Sequence, residues 1–481
     1  MSAPIETDVP ARLDRLPWMR FHWLVVLSLG ITWVLDGLEV TIVSAVGSVL
    51  EEPETLALSA SDIGLAGSAY VGGAILGALF FGHLADRHGR KRLFLVTLVV
   101  YVLASAATAA SGGLRSFVLC RFVTGMGIGG EYAAINSAID ELIPARHRGF
   151  ADLAINGSYW LGTALGAVVS SSLLDPRVLG HALGWRAAFG LGALLAPAIL
   201  FVRRVVPESP RWLVIRGRHT EAARIVEAIE AGSPAPRPPA ARIRISPREA
   251  HGLLGVARVI VRRYPRRALL GLSLMIAQAF FYNAIFFTYG LTLTRFYGVL
   301  PERVGAYILP FAAGNFLGPV VLGRAFDAVG RRAMIATTYV ASGTLLLVTG
   351  GLFLGGSLTA TTQTLMWAAS FFFASAAASS AYLTVSEVFP IEIRALAIAL
   401  FYAIGTGTGG LVAPFVFGRL IESGDRSEVF GGYAVGALLM IAAGVVGWAL
   451  GVDAERKSLE EVAPPLSAVP ENAGPDRASM H

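Results

Sequence analysis

The sequence predicts an all-α membrane protein, with twelve transmembrane helices in two pseudo-symmetric six-helix bundles and short cytoplasmic helices between them. The chain of 481 residues is 54% hydrophobic and only 15% charged, and it has 54 glycines. This is too little charge to cover a soluble surface of that size. Apolar runs long enough to cross a hydrocarbon core of ~30 Å recur along the chain. In addition, two charged motifs appear in the same order in both halves.

Twelve apolar runs are the predicted spans, six on each side of a polar stretch. They cover residues 22–50, 62–81, 93–112, 116–142, 150–173, 186–206, 268–296, 304–326, 334–355, 362–387, 395–421 and 430–451. The predicted domains are an N-terminal tail (1–21), a first bundle (22–206), a central loop (207–267), a second bundle (268–451) and a C-terminal tail (452–481). In the central loop we expect short surface helices near 220–231 and 247–263.

Basic residues are concentrated in alternate connections between these runs, and the first of the other connections is acidic. By the positive-inside rule, the basic connections and both termini are cytoplasmic. The first run is too long for a signal peptide and is expected to remain as an anchor. We therefore expect an integral, multi-pass protein of the cell membrane. The basic connections contain Arg87, Arg90, Lys91, Arg92, Arg146, Arg148, Arg331, Arg332 and Arg394.

The two halves contain matching charged motifs. Gly82, Asp86, Gly89 and Arg90 recur 241 positions later (323 − 82) as Gly323, Asp327, Gly330 and Arg331. Glu141, Pro144 and Arg148 recur 246 positions later (387 − 141) as Glu387, Pro390 and Arg394. Two ordered sets at nearly equal offsets indicate an internal repeat with a substrate path between its halves. We expect the charged members to form a network of ion pairs that closes the cytoplasmic mouth: Asp86, Arg90, Glu141, Arg148, Asp327, Arg331, Glu387 and Arg394.

Two acids lie inside the first span. Asp36 and Glu39 are three residues apart and therefore share one helix face. An ionised acid near the bilayer centre costs at least ~2.5 kcal/mol, so both are expected to face a cavity or a partner. A proton-carrying or cation-binding role is one interpretation. A structural polar contact with a neighbouring helix is the alternative.

Arg121 in the fourth span lies at a similar depth. From the inner boundary Asp36 is about 20 Å and Glu39 about 24 Å along the helix, whereas Arg121 is about 8 Å from the outer boundary. A nearby guanidinium favours the ionised carboxyl, and burial without it favours the protonated one. Asp36 or Glu39 with Arg121 is thus the predicted proton-coupling switch, with a permanent salt bridge as the alternative. Glu131 and Asp152 are further candidates that a gate contact or solvation would also explain.

The motif Asp-Arg-x-Gly-Arg at Asp86, with its echo at Asp327, resembles the major facilitator superfamily over nearly the whole chain. Within it, the chain resembles the sugar porters and the metabolite:proton symporters. Three segments carry that likeness: residues 121–129, 207–213 and 455–461.

The resemblance implies roles for individual residues. Glu39 falls on the proton-coupling acid of the sugar porters and Arg121 on its partner, whereas Asp36 and Glu131 look more like the metabolite symporters. Tyr382 stands where a tryptophan is usual. Neutral polar and aromatic groups complete the predicted substrate site, although helix packing or interhelical hydrogen bonding would also explain them. The predicted substrate-binding residues are Asn156, Gln278, Tyr282, Asn283, Tyr382 and Tyr402.

The predicted function is secondary active transport of a small polar organic metabolite, either a sugar or polyol or a small organic acid, by alternating access and proton symport. A uniporter or exporter of an organic cation or drug-like solute is one alternative, and a non-transporting substrate receptor is another. No enzyme, nucleotide-binding, cofactor or metal motif is predicted, and the single cysteine is Cys120. The expected partners are the substrate, a proton and the lipid bilayer. Nothing in the sequence indicates nucleic-acid binding or an oligomeric state.

Overall fold

The computed structural model describes residues 5–174, 178–191, 205–233, 242–245, 252–286 and 288–468. Within these ranges, nine helices are long and apolar enough to cross a membrane. We number the membrane helices by the predicted span that they occupy. Most of the predicted sixth span lies outside the described residues, so the count of twelve remains a prediction.

The first five helices follow the predicted runs closely. The first four are Arg20–Leu50, Ala60–His88, Arg90–Ala109 and Leu114–Leu142, and the fifth consists of Arg148–Gly157 and Tyr159–Leu173. A short helix, Gly180–Gly190, overlaps the start of the predicted sixth span. The fourth helix is not among the nine, and neither is the fifth, which is interrupted at Ser158 and so forms two short segments.

The second half differs from the predicted runs at two points. The seventh run, 268–296, forms two helices, Pro265–Phe286 and Tyr289–Tyr297. The eleventh forms Arg394–Gly405 and Leu411–Glu422, joined by a π-helical turn in a Thr-Gly-Thr-Gly-Gly stretch of low helix propensity. The remaining helices are Pro301–Ala328, Arg331–Leu354, Ala360–Val388 and Arg426–Leu450.

Glycines allow the helices within the first bundle to approach backbone to backbone. A Cβ atom on Gly37 would lie 1.9 Å from the Tyr159 carbonyl oxygen, and one on Gly125 would lie 2.0 Å from that of Tyr70. Each glycine therefore fixes a close crossing, of the first helix with the fifth and of the fourth with the second. Any larger residue would separate these helices.

Both tails and the central loop pack at one end of the bundles, which we call the arginine-rich end because Arg90, Arg148, Arg331 and Arg394 lie there. Strand Ile5–Thr7 pairs antiparallel with strand Ile243–Ile245. The other elements at this end are the helices Val9–Asp14, Pro210–Ile215, His219–Glu230, Leu253–Arg263 and Leu459–Val462. The helices predicted near 220–231 and 247–263 correspond to two of these, although residues 246–251 lie outside the described chain.

Candidate functional site

A cavity of about 230 Å³ lies between the two bundles. Its lining includes all six predicted substrate-binding residues, which come from both halves of the chain. From the first half come Asn156 and several residues that the sequence analysis did not single out: Trp33, Val40, Tyr70, Val71, Ala74, Tyr132, Tyr159 and Trp160. The second half contributes Gln278, Ala279, Tyr282, Asn283, Phe286, Ser375, Ala378, Ser379, Tyr382, Tyr402 and Thr406.

Aromatic rings form much of the cavity wall. The Trp33 ring stacks on the Tyr132 ring with 4.7 Å between centroids and 12° between planes. Tyr132 meets Tyr402 of the other bundle at 4.8 Å, and Trp160 meets Tyr282 of the other bundle at 5.9 Å. These contacts cross the boundary between the bundles. The wall is therefore suited to the faces of a flat ring, and its shape depends on how the bundles are placed.

Local breaks in the helices position part of this wall. At the interruption of the fifth helix, the Ser158 hydroxyl lies 2.6 Å from the Ile155 carbonyl oxygen and 3.0 Å from that of Gly30. Tyr159 and Trp160 follow directly and line the cavity. The π-helical turn begins at Thr406, which also lines it. Such turns are frequent at functional sites because they redirect side chains within a helix.

Amide side chains supply hydrogen-bonding groups to the cavity. The Asn283 amide nitrogen donates to the Ala279 carbonyl at 2.6 Å, and that of Asn156 donates to the Asp152 carbonyl at 2.9 Å. The Asn156 amide oxygen is buried and accepts no hydrogen bond from the described residues. Gln278 and Asn283 are half-buried at the cavity. These groups can bind a neutral or anionic solute by hydrogen bonds, and the described lining residues include no Lys, Arg or His.

In the structure, the two acids of the first helix differ in their hydrogen-bond partners. The Glu39 carboxylate accepts a hydrogen bond of 2.5 Å from Arg121, and both side chains are buried. The Arg121 guanidinium also lies 4.6 Å from the centre of the Tyr70 ring, a cavity residue. Asp36 is buried, and neither of its oxygens has a hydrogen-bond partner among the described residues. Of the two predicted acids, Glu39 thus forms the contact with Arg121.

Asp36 lies immediately behind the cavity wall. It is three residues after Trp33 and four before Val40, so all three lie on one side of the first helix, and the two flanking residues line the cavity. When ionised, Asp36 acts electrostatically on Tyr132, Tyr159 and Tyr402. A change in the protonation of Asp36 therefore alters the electrostatic potential inside the cavity.

The other two candidate acids are also fully buried. The carboxylate oxygens of Glu131 have no hydrogen-bond partner within the described structure, whereas the Asp152 carboxyl interacts with the Asn156 side chain. Glu131 interacts electrostatically with Asp36 and Glu39. Asp152 interacts instead with Glu387 and Arg331 at the arginine-rich end. The two acids thus belong to different surroundings.

All eight predicted gate residues meet at the arginine-rich end in a buried arrangement that we call the inter-bundle charge network. Arg90 pairs with Asp86 and Glu141, both at 3.1 Å, and Arg331 makes equivalent pairs with Asp327 and Glu387, both at 3.0 Å. These four contacts lie within single bundles. Two further pairs cross between bundles: Arg148 with Glu387 and Arg394 with Glu141, each at 3.4 Å.

The two aspartates of the network also bind helix N-termini across the boundary. The backbone N–H groups of Gly149 and Phe150 donate to Asp327 at 2.9 and 2.8 Å. The N–H of Leu396 donates to Asp86 at 3.0 Å. Both helix starts belong to the opposite bundle, and a carboxylate at a helix N-terminus is electrostatically favourable. The bundles are therefore held together at this end.

Further charged residues, which were not assigned to this network from the sequence, also belong to it. Asp14 in the N-terminal tail pairs with Arg148 at 3.3 Å and with Arg211 at 2.7 Å, and Arg211 also pairs with Glu460. The neighbouring acids raise the pKa of the Arg211 guanidinium despite its burial. Both tails and the central loop thus contact the closed end.

Two glutamates accept backbone hydrogen bonds where the helices that begin at Arg90 and Arg331 start. The Glu208 carboxylate accepts from the backbone N–H of Arg90 at 2.8 Å, and that of Glu455 accepts from Arg331 at 3.3 Å. Burial raises the pKa of Glu208, although these hydrogen bonds oppose the shift. Gly89 and Gly330, just before the two arginines, have φ of 103° and 119°, which L side chains rarely adopt.

Comparison with known proteins gives consistent matches. The family model described as "Sugar (and other) transporter" matches residues 39–465. The chain is 29% identical over 464 residues to the niacin transporter NiaP of Acinetobacter baylyi, covering 95% of this chain and 99% of the relative. It is 27% identical to the 4-hydroxybenzoate transporter PcaK of the same species, over 83% of this chain and 85% of the relative.

The fold also matches a solved structure, that of the proton:xylose symporter XylE of the major facilitator superfamily bound to 6-bromo-6-deoxy-D-glucose. The TM-score is 0.73 at 19% identity, covering 92% of this chain and 98% of XylE. This similarity confirms the predicted fold class.

Proposed function

The chain belongs to the sugar (and other) transporter family, and from this premise we propose that it carries a small aromatic acid across the membrane together with a proton. It is an integral membrane protein and a secondary active transporter of small organic substrates, not an enzyme. The aromatic acid, the proton coupling and the residues that perform them are the proposal. So are the location in the cell membrane and a cytoplasmic position for both termini.

The main support for the proposal is that the aromatic-walled cavity adjoins Asp36, which is buried and has no hydrogen-bond partner among the described residues. Stacked and edge-on rings such as Trp33 and Tyr132 favour a flat ring over a polyol, whose hydroxyls would need more hydrogen-bonding partners. The two relatives above are named for niacin and 4-hydroxybenzoate, each a single aromatic ring bearing a carboxylate. The second N–H of the Asn283 amide would bind the carboxylate, since its first donates to the Ala279 carbonyl.

The proposed proton coupling follows from the electrostatic interaction between Asp36 and the substrate carboxylate. A carboxylate in the cavity would be repelled by an ionised Asp36, and like charges placed together cost several kcal/mol. Protonation of Asp36 removes this repulsion, so the substrate anion binds best when Asp36 is neutral. Binding of the proton and binding of the substrate thus favour each other, which is the thermodynamic requirement for symport.

Alternating access would require the inter-bundle charge network to break. In the described conformation the arginine-rich end is closed by Arg148–Glu387, Arg394–Glu141 and the aspartate contacts with helix N-termini. We propose that this end faces the cytoplasm, since the positive-inside rule places it there. Opening it would release substrate and proton inside the cell.

The test is uptake into proteoliposomes with an imposed pH gradient, acidic outside, and with rates corrected for protein-free liposomes. The probes are nicotinate, 4-hydroxybenzoate and myo-inositol. We expect the two aromatic acids to be taken up and the polyol not. Asp36→Asn should abolish accumulation but retain exchange of labelled for unlabelled substrate, because the amide mimics the protonated acid and cannot release a proton.

Asp62→Asn is the matched control. Asp62 is also an acid of the first bundle, but it caps the start of the second helix, where Ser59 donates to its carboxylate. This variant should accumulate substrate as the wild type does. Full pH-driven accumulation by Asp36→Asn would contradict the proposed coupling, and uptake of myo-inositol alone would contradict the proposed substrate class.

An organic cation is the second candidate substrate, favoured by the same wall. Aromatic rings with a nearby carboxyl, and with no basic residue in the part of the lining that the structure describes, can bind an ammonium group by cation–π contact. Tetraethylammonium added to the panel distinguishes the two. For a cation, ionised Asp36 would be the counter-ion, so Asp36→Asn would weaken binding instead of preserving exchange.

A further inference from the structure

Glu131 is a buried carboxyl of the first bundle that acts on Asp36 and Glu39. It lies on the fourth helix with 0% of its surface exposed, and neither carboxylate oxygen has a hydrogen-bond partner in the described ranges. The titratable groups that interact with it are Asp36 and Glu39 on the first helix and Tyr101 on the third. Within the described part of the chain, the titratable groups that act on Glu131 are therefore acidic or neutral.

Counting charges indicates that the first bundle holds more than one proton. Among the described residues, Asp36, Glu39 and Glu131 share one guanidinium, that of Arg121, which pairs with Glu39. If Asp36 and Glu131 were both ionised, two negative charges would lie uncompensated in the interior of the bundle. Each ionised carboxyl would be energetically unfavourable inside the membrane, and the two charges would also repel one another. The closed conformation therefore favours a proton on each.

The position of Glu131 connects it to the conformational change. It follows Arg121 by ten residues and precedes Glu141 by ten, so it lies about 15 Å along the helix from each. It is thus midway between the Glu39–Arg121 pair and the inter-bundle charge network. The next residue, Tyr132, contacts Tyr402 of the other bundle. Separation of the bundles at the arginine-rich end would therefore change the surroundings of Glu131.

We propose that Glu131 carries a second proton in each transport cycle, so that two protons accompany each substrate molecule. This rests on the proton-coupled transport proposed above. Asp36 and Glu131 hold one proton each while the arginine-rich end is closed, and both protons leave when that end opens to water. The Glu39–Arg121 pair remains charged and compensated in the closed conformation.

The stoichiometry can be measured from net charge. A monovalent carboxylate with one proton is electroneutral, whereas the same anion with two protons carries one positive charge. The probe is 4-hydroxybenzoate, with equal pH on both sides of the liposome membrane and a potassium diffusion potential of about 100 mV, negative inside. Two-proton symport would then accumulate the probe about 50-fold.

Glu131→Gln should lose accumulation driven by the potential yet still exchange labelled for unlabelled substrate. Ser137→Ala is the matched control, because Ser137 is buried on the same helix and its hydroxyl has no partner among the described residues. That control should behave as the wild type does. Potential-driven accumulation that persists in Glu131→Gln would overturn the assignment to Glu131.

Wild-type protein that responds to a pH gradient but not to the potential would overturn the second proton while leaving proton symport in place. If neither gradient drives uptake of the probe, proton coupling fails, and this proposal fails with it.

A measurement without substrate tests the protonation itself. Infrared spectra of the purified protein at neutral pH should contain carbonyl-stretch bands from buried protonated carboxyls. Glu131→Gln and Asp36→Asn should each remove one component. An unchanged band in Glu131→Gln would mean that Glu131 is ionised, and would overturn the proposal.

Discussion

Glu387→Gln is expected to open the arginine-rich end. Glu387 accepts hydrogen bonds from Arg331 of its own bundle at 3.0 and 3.1 Å and from Arg148 of the other bundle at 3.4 Å. The contact with Arg331 lies within one bundle and can survive opening. Only the contact with Arg148 is lost when the bundles separate. The substitution therefore removes a charged interaction that stabilises the closed conformation selectively.

The size of the effect follows from that single contact. A hydrogen bond between charged groups contributes about 1.5–3 kcal/mol. Since 1.4 kcal/mol corresponds to a tenfold change in an equilibrium constant, the ratio of open to closed molecules should rise about 10- to 100-fold. Arg148 retains Asp14 at 3.3 Å and Asp140 at 3.9 Å, which favours the lower part of that range.

A distance between spin labels measures this ratio directly. The single cysteine, Cys120, is first replaced by serine, and labels are then attached through cysteines at positions 88 and 329. His88 and Val329 are exposed at the ends of the second and eighth helices, one in each bundle. Wild-type protein should give mainly the short distance, and Glu387→Gln should add a longer one.

Glu392→Gln is the control for removal of a buried carboxylate at the same end. Glu392 accepts hydrogen bonds from the backbone N–H and the hydroxyl of Ser467, at 2.9 and 2.6 Å. Glu392 lies in the connection after the tenth helix and Ser467 lies in the C-terminal tail, so this contact does not join the two bundles. Its substitution should leave the label distances unchanged. Equal distance distributions for wild type and Glu387→Gln would refute the view that the charge network holds the bundles closed.

Three further predictions concern the cavity and the N-terminal tail. Asn283→Ala should weaken substrate binding about 5- to 30-fold, the effect of one lost hydrogen bond of about 1–2 kcal/mol, as measured by titration calorimetry. Asp14→Asn should also populate the longer label distance, because Asp14 pairs with Arg148. The Arg12 guanidinium lowers the pKa of Glu230, so docking of the tail should persist as pH falls to the ordinary glutamate value and weaken only below it. A label distance between the tail and the helix His219–Glu230, followed through an acid titration, checks this order.

Much of the site could be predicted because motif residues in this fold lie close to the boundary between the bundles. Glu39 and Arg121 were expected at similar depth from helix rise alone, and they form an ion pair in the structure. The repeat offset likewise predicted that Arg90 and Arg331 would have equivalent surroundings, and each pairs with an aspartate and a glutamate. The functional roles of these residues remain proposals.

The cavity wall was harder to predict, because an aromatic residue in a membrane helix can equally face lipid, a neighbouring helix or a cavity. Trp33 could have been found from its position three residues before Asp36, on the same face. Tyr159 and Trp160 could not, since their orientation depends on the interruption at Ser158, and nothing in the local sequence distinguishes that serine from others in the spans.

The repeat also contained a signal that the sequence analysis left unused. Glu208 and Glu455 are 247 positions apart (455 − 208), close to the offsets of 241 and 246 in the charged motifs, and they complete equivalent turns before Arg90 and Arg331. Asp14 has no counterpart of this kind. Its contact with Arg148 spans 134 positions, so only the folded chain reveals it. Because a tail residue contacts the same arginine that joins the two bundles, the free energies of tail docking and of the closed conformation are coupled through Arg148.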